Sequence, residues 1–356
     1  MWIAILILLI AVLAVVLFMI LRKDQRPASR EAESTAPAPL PLGRADEIPF
    51  TTTEIEQAVD ECYRIAFSLT RFEPQVPDDH VPVLDAISKS LDESVYERDY
   101  FPRRPMLLPR LLQAINDDES TREELVRVLL EDPALAGAVL QRANSAYYRT
   151  SPEPIESLDR AVMLLGTNGL RSLMASAILQ PVFRIPRGSF EKFADFTWEQ
   201  AERTAMAAEV HARTGGDIKP IVAQLLGLMS LLANIVLFRL ALDKYRDFPH
   251  LTPRADVIIE AIRTQRACTA SLIAQSWKLS DLSIAAFTEQ QQKLPPEQMS
   301  SIGRSVYFGD LCGSLAMLTA RGYYTKKQAQ VIISGQGADR ETTLAMWLAS
   351  ASVAQS

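Results

Sequence analysis

The strongest constraint on this chain lies at its start. Trp2 to Leu21 reads WIAILILLIAVLAVVLFMIL, with no charge, glycine, proline or polar side chain. A helix rises about 1.5 Å per residue, so a run of this length matches the roughly 30 Å hydrocarbon core of a bilayer. Every face of such a helix is apolar, whereas a surface helix of a soluble domain keeps one polar face. A cleaved signal peptide is the competing reading. It would need a basic n-region, an apolar core of about 7–15 residues and a small-x-small cleavage site. Here no Lys or Arg precedes the run, the core is longer, and Arg22 and Lys23 follow at once. The expectation is a single-pass transmembrane anchor over residues 1–21. Arg22, Lys23, Arg26 and Arg30 all lie on its C-terminal side. The positive-inside rule then puts the rest of the chain in the cytoplasm.

Residues 22–49 are dominated by Pro, Ala, Ser and Glu and keep no apolar periodicity. The stretch PAPLPLG is extended, with polyproline character. It reads as a tether, with a proline motif for a partner module as the alternative. Beyond it the composition excludes several classes. Of 356 residues 48% are apolar and 22% charged, with a net charge of −6. That is too apolar for a wholly disordered chain and lacks the basic footprint of a nucleic-acid binder. Cys62, Cys268 and Cys312 are too far apart for a CxxC site and are expected to be structural thiols in a reducing compartment. With only His80, His211 and His250, a histidine-rich metal centre is not expected.

From residue 50 onward the patterning is helical. Ile55, Val59, Cys62, Tyr63, Ala66 and Leu69 recur at helical spacing, and Val83 to Leu91 carries a second stripe. Met106, Leu107, Leu111, Leu112 and Ile115 form a third. Asp132-Pro133 is a helix-start pair, with Asp at N-cap and Pro at N1. Ser157 is placed to cap a helix through Leu165, Gly166 to close it, and Thr167–Gly169 to link it to a helix over Leu170–Leu179. That pair resembles a helix-turn-helix in outline. Its second helix, LRSLMASAILQ, is too apolar to face a DNA groove. Leu225–Leu242 is apolar enough to suggest a second span, although Ser230, Asn234 and Arg239 interrupt it. No window alternates with period two, so the fold class is all-α.

The run from Leu107 to Phe183 resembles the HDOD domain family. The resemblance rests on Pro109, on Asp132-Pro133, and on Ala143-Asn144-Ser145-Ala146. It continues through Ile155, Ala161, Leu165-Gly166 and Leu170-Arg171, then more loosely through Trp198, Gly227-Leu228 and Trp277. It implies an all-helical fold related to the HD phosphohydrolases and a place in bacterial signalling, hence an anchor in the bacterial inner (cytoplasmic) membrane. It also makes Leu225–Leu242 the central buried helix. The domains are then 1–21 anchor, 22–49 linker, 50–104 helical extension, 105–299 HDOD domain and 300–356 C-terminal helices.

An HD hydrolase holds its metal ions with imidazole and carboxylate ligands. In the positions that match, this chain carries Gln200, Ser230 and Leu231, and no His or Asp lies between Gln224 and Arg239. The resemblance therefore implies a helical scaffold without metal ligands, cofactor or catalytic residues. Asp310 is either an echo of a distant acidic ligand or an ordinary carboxylate. His211, near a helix end, is read as a partly positive imidazole favoured by the helix dipole. Met346 and Trp347 are expected to pack on the domain. The expected function is a membrane-tethered, non-catalytic regulatory module that binds a protein partner or a small ligand, with no nucleic acid. A degenerate metal-dependent phosphohydrolase and a cyclic-nucleotide receptor are the alternatives.

Overall fold

The computed structural model describes residues 52–70, 75–92, 101–116, 122–130, 133–144, 153–155, 157–185 and 190–353. The expected anchor and linker lie outside the described residues, as do Asp132 and Ser145. Among the described residues there are thirteen α-helices and no strand. They are α1 Thr52–Ala66, α2 Val81–Asp92, α3 Leu108–Asn116, α4 Arg122–Leu130, α5 Pro133–Ala143, α6 Leu158–Leu179 and α7 Lys192–Gly215. Then come α8 Pro220–Tyr245, α9 Ala255–Ser276, α10 Asp281–Gln291, α11 Ser301–Ala320, α12 Lys326–Gly335 and α13 Arg340–Ala351.

Helix α8 is the axis of the core. Its most apolar window is 89% buried, and α2, α6, α7, α9 and α11 pack around it. A uniformly apolar helix is stable in water only when covered on all sides, and these neighbours do that. Leu225–Leu242 is thus the central helix of the domain. Arg239, near its end, donates to the carbonyls of Val182 and Arg184. Its guanidinium satisfies acceptors at the turn after α6, while burial lowers its pKa.

Helix α7 packs against α8, α11 and α13. It runs antiparallel to α11, with Gln200 beside Ser314, Thr204 beside Gly313, Ala208 beside Gly309 and His211 beside Ser305. The small residues permit close backbone approach. A Cβ on Gly313 would lie 2.4 Å from Thr204 Oγ1 and 2.7 Å from its amide nitrogen. On the α8 side, a Cβ on Gly227 would meet Ala205 Cα at 3.0 Å. Met346 and Trp347 of α13 are buried, as their apolar character required.

Two local expectations change. The third stripe is displaced: α3 begins at Leu108, which is fully buried, while Met106 precedes the helix and is 93% exposed. Pro105 and Pro109 delay the helical turn, so the buried face starts later. Ser157 does cap α6, accepting from the Arg160 amide at 3.2 Å. Gly166 does break it, at φ 68°, ψ 177°, a region that strains any other residue. Helix resumes directly, however, so Thr167–Gly169 belongs to the second half of α6 and forms no separate link.

Candidate functional site

The positions expected from the resemblance to match an HD metal centre lie on α7 and α8, which pack on each other and on α11. Gln200 is buried, and its Nε2 donates to Ser314 Oγ at 3.0 Å. Ser230 is buried and donates to the Gly227 carbonyl of its own helix at 3.3 Å. Leu231 is fully buried and offers no donor atom. Among the described residues no three His, Cys, Asp or Glu side chains gather closely enough to hold a metal ion.

Asp310 lies one helical turn before Ser314 on α11. One oxygen accepts from Arg266 of α9. The other is buried without a hydrogen-bond partner. Arg266 also bonds the Tyr63 hydroxyl of α1. Next to Tyr63, Cys62 Sγ points to the Ser314 carbonyl at 3.7 Å. These side chains form one cluster linking α1, α7, α9 and α11. Burial pushes the Cys62 thiol well above its usual range, and nearby Asp310 adds to this. Burial raises the Tyr63 phenol to about 12, against the pull of Arg266. For Arg266, burial works against the charge, but Asp310 and Tyr63 outweigh it and its pKa is raised.

A divalent cation does not fit this donor set. A hard cation takes six or more oxygen ligands with carboxylates among them, and zinc takes imidazole, thiolate or carboxylate. Here one carboxylate oxygen is open, a guanidinium lies against its partner, and the remaining groups are neutral or aliphatic.

The opposite face of α7 is charged. Glu199 and Arg203 are buried and paired at 2.8 Å. Arg321 bonds the second Glu199 oxygen at 2.9 Å and covers the Phe196 ring at 4.9 Å. Arg203 also donates to the carbonyls of Ser350 and Val353, each at 2.8 Å. These lie at the C-terminal end of α13, where helix carbonyls have no intrahelical partner. A buried guanidinium therefore caps the last helix. Sequence reading missed this cluster, although the Glu199–Arg203 spacing of four is the one that puts opposite charges on one face.

The family-motif residues have structural tasks. Pro133 opens α5. Asn144, just past its end, donates to Leu140 O at 2.9 Å and Ile155 O at 2.8 Å, and accepts from the Ile155 amide at 2.7 Å. One side-chain amide thus pairs with a backbone as a neighbouring strand would. Arg171 reaches Asn168 Oδ1 at 3.3 Å, while its Nε is buried without a partner. The second half of α6 is almost wholly buried, so it presents no groove-reading face. Arg142, which sequence reading did not single out, pairs with Glu202 and lies 5.1 Å over the Trp198 ring. Trp277 is fully buried, with Nε1 donating to Pro102 O at 3.0 Å.

His211 departs from its expected state. Burial, reinforced by nearby Arg304, lowers its pKa to about 4. The ring stacks on Phe308 at 5.0 Å. Its Nδ1 is 2.9 Å from Ser305 Oγ, and that hydroxyl donates to Ser301 O at 2.9 Å. With the hydroxyl proton so used, His211 Nδ1 is the donor. The imidazole is neutral because desolvation outweighs the helix-end field.

A cleft of about 430 Å³ lies between Gln180–Ile185 and the start of α7. Buried Phe183 and Trp198 line it together with exposed Arg184, Glu191 and Asp195.

The fold has solved relatives. An HDOD domain protein of unknown function from Geobacter sulfurreducens superposes with a TM-score of 0.53 at 20% identity, over 74% of this chain and 93% of that one. A protein from Shewanella amazonensis SB2B, provisionally described as a metal-dependent phosphohydrolase, gives 0.54 at 14% identity, over 77% and 100%. A provisionally described signal transduction protein from Marinobacter aquaeolei VT8 gives 0.49 at 18% identity, over 87% and 66%. No curated protein shows a significant sequence match. The HDOD domain profile matches residues 101–293, more than half of the sequence, and the chain belongs to the HDOD domain family.

Proposed function

We propose that this chain is a non-catalytic signalling module tethered to the bacterial inner membrane, whose HDOD domain acts by binding a protein partner or a small ligand. One observation carries the reading. The three positions where an HD hydrolase would place metal ligands hold Gln200, Ser230 and Leu231, each committed to packing or to an internal hydrogen bond. Without a Lewis acid or an activated nucleophile, phosphoester hydrolysis has no chemistry to run on. The tether follows from the Trp2–Leu21 run and the cations behind it. The net charge of −6 argues for partners other than nucleic acid.

The test uses the full chain purified in detergent. Metal content and hydrolysis of bis(p-nitrophenyl) phosphate and of cyclic dinucleotides are measured with added Mn²⁺ or Mg²⁺. The expected result is no stoichiometric metal and no turnover above buffer. Bound metal with chelator-sensitive turnover overturns the reading in favour of a phosphohydrolase. Saturable heat on titration with a cyclic dinucleotide moves it to a nucleotide receptor. Membrane tethering is checked by alkaline carbonate washing of membranes, which releases peripheral proteins and should leave this chain in the pellet.

A further inference from the structure

We infer that Arg266 is a built-in cation that balances Asp310 where an HD centre would use a metal ion, and that it thereby locks helix α1 onto α9 and α11. Asp310 lies on α11 one turn before Ser314, which bonds Gln200, and one of its oxygens is buried without a hydrogen-bond donor. A carboxylate in that setting needs a positive partner, because an uncompensated buried charge is strongly destabilising. Arg266 supplies it, with side-chain exposures of 21% for Arg266 and 17% for Asp310. The same guanidinium holds the Tyr63 hydroxyl of α1, while Tyr63 itself is 4% exposed and Cys62 fully buried. A second pair, Arg263 with Asp60 at 3.3 Å, joins α9 to α1 one turn away.

The consequence concerns connectivity. Helix α1 is the first described element of the chain. The Arg266 cluster is the place where α1 meets the core through charge. A fixed guanidinium keeps that contact closed whatever the supply of divalent ions. This deepens the non-catalytic reading above and rests on it.

Thermal unfolding and amide exchange of the full chain in detergent test the inference. Wild-type melting is expected to be the same with chelator, Mn²⁺ or Mg²⁺. Arg266→Ala is expected to lower the midpoint by about 5 °C or more and to speed exchange of α1 amides. Removing both charges, Arg266→Ala with Asp310→Ala, should recover at least half of that loss. If the single variant does not fold, Asp310→Asn provides the same readout from the other side of the pair. Unchanged α1 protection in Arg266→Ala, or losses that simply add in the double variant, overturns the lock while leaving the non-catalytic reading intact. A wild-type midpoint that rises with divalent metal and falls with chelator overturns both.

Discussion

Helix α7 shows two solutions to burial on opposite faces. Toward α13 it carries Glu199 and Arg203, a pair whose valences are completed by Arg321 and by the carbonyls of Ser350 and Val353. Toward α8 and α11 it carries Gln200, Thr204, Ala205 and Ala208, with glycines opposite. The first face is held by charge and hydrogen bonds, the second by close backbone packing. A buried polar group is tolerated when satisfied, and a close approach when no side chain intervenes. The charged face is consumed in capping the last helix, and the neutral one in close helix packing.

The sharpest way to break the charged face is Arg203→Ala. It strips Glu199 of one cationic partner and leaves two α13 carbonyls without donors. The expected loss is about 3–5 kcal/mol, read as a lower denaturant midpoint. The exchange of α13 amides should rise with it. Arg203→Met, which keeps the volume, should lose nearly as much, since the damage comes from the Glu199 oxygen and the two carbonyls left without a donor and not from a cavity. If Met restores wild-type stability, the pair is dispensable and the contrast between the faces fails.

The packed face is broken by Gly313→Ala. The added methyl meets Thr204 Oγ1 at 2.4 Å and its backbone at 2.7 Å, and overpacking of this kind costs about 1–3 kcal/mol. Gly137→Ala is the matched control. That glycine lies inside α5 with nothing within 4 Å of a new Cβ, so helix propensity alone should give a gain of up to ~1 kcal/mol. Opposite signs for the same substitution would locate the effect in the α7–α11 contact. In the N-terminal helices, Asn144→Ala removes two hydrogen bonds to Ile155 and one to Leu140 of α5. A loss of about 1–3 kcal/mol is expected. Asn144→Asp can still accept from the Ile155 amide but cannot donate, so it should retain only part of the stability.

Much of this was legible in the sequence because local rules and burial agree. Ser157, Pro133 and Gly166 mark helix boundaries by their own backbone chemistry, and α8 is apolar on every face because it is covered on every face. Gln200, Ser230 and Leu231 were readable as residue identities, and the structure adds that all three are buried. What was not legible depends on distant parts of the chain. Arg203 finds acceptors 147 and 150 positions away, and Arg266 meets Tyr63 and Asp310 from three separate helices. No spacing encodes such partners. Met106 was misread because a stripe of apolar residues does not say where the helix begins when prolines flank it. His211 was misread because its position near a helix end is local, whereas its burial under Phe308 is not.

His211 offers the smallest effect and a test of sign. Its folded pKa of about 4 lies below the ordinary imidazole value near 6.5. Between those values the unfolded chain binds more protons than the folded one, so stability falls as pH drops from 6.5 toward 4. The slope from this residue is up to ~1 kcal/mol per pH unit within that window and absent above it. Glu209 acts the other way: burial raises its pKa, so the folded chain takes up its proton first and gains stability as pH falls through that raised pKa. The two contributions are separated by His211→Gln, which keeps a donor for Ser305 but does not titrate. Its melting midpoint should drop less than that of the wild type between pH 6.5 and 5, with the two curves running parallel above pH 7. Parallel curves throughout would mean that the imidazole titrates alike in the folded and unfolded chain. The α7–α11 contact would then tolerate the imidazolium at mildly acid pH, contrary to the neutral character argued for that face.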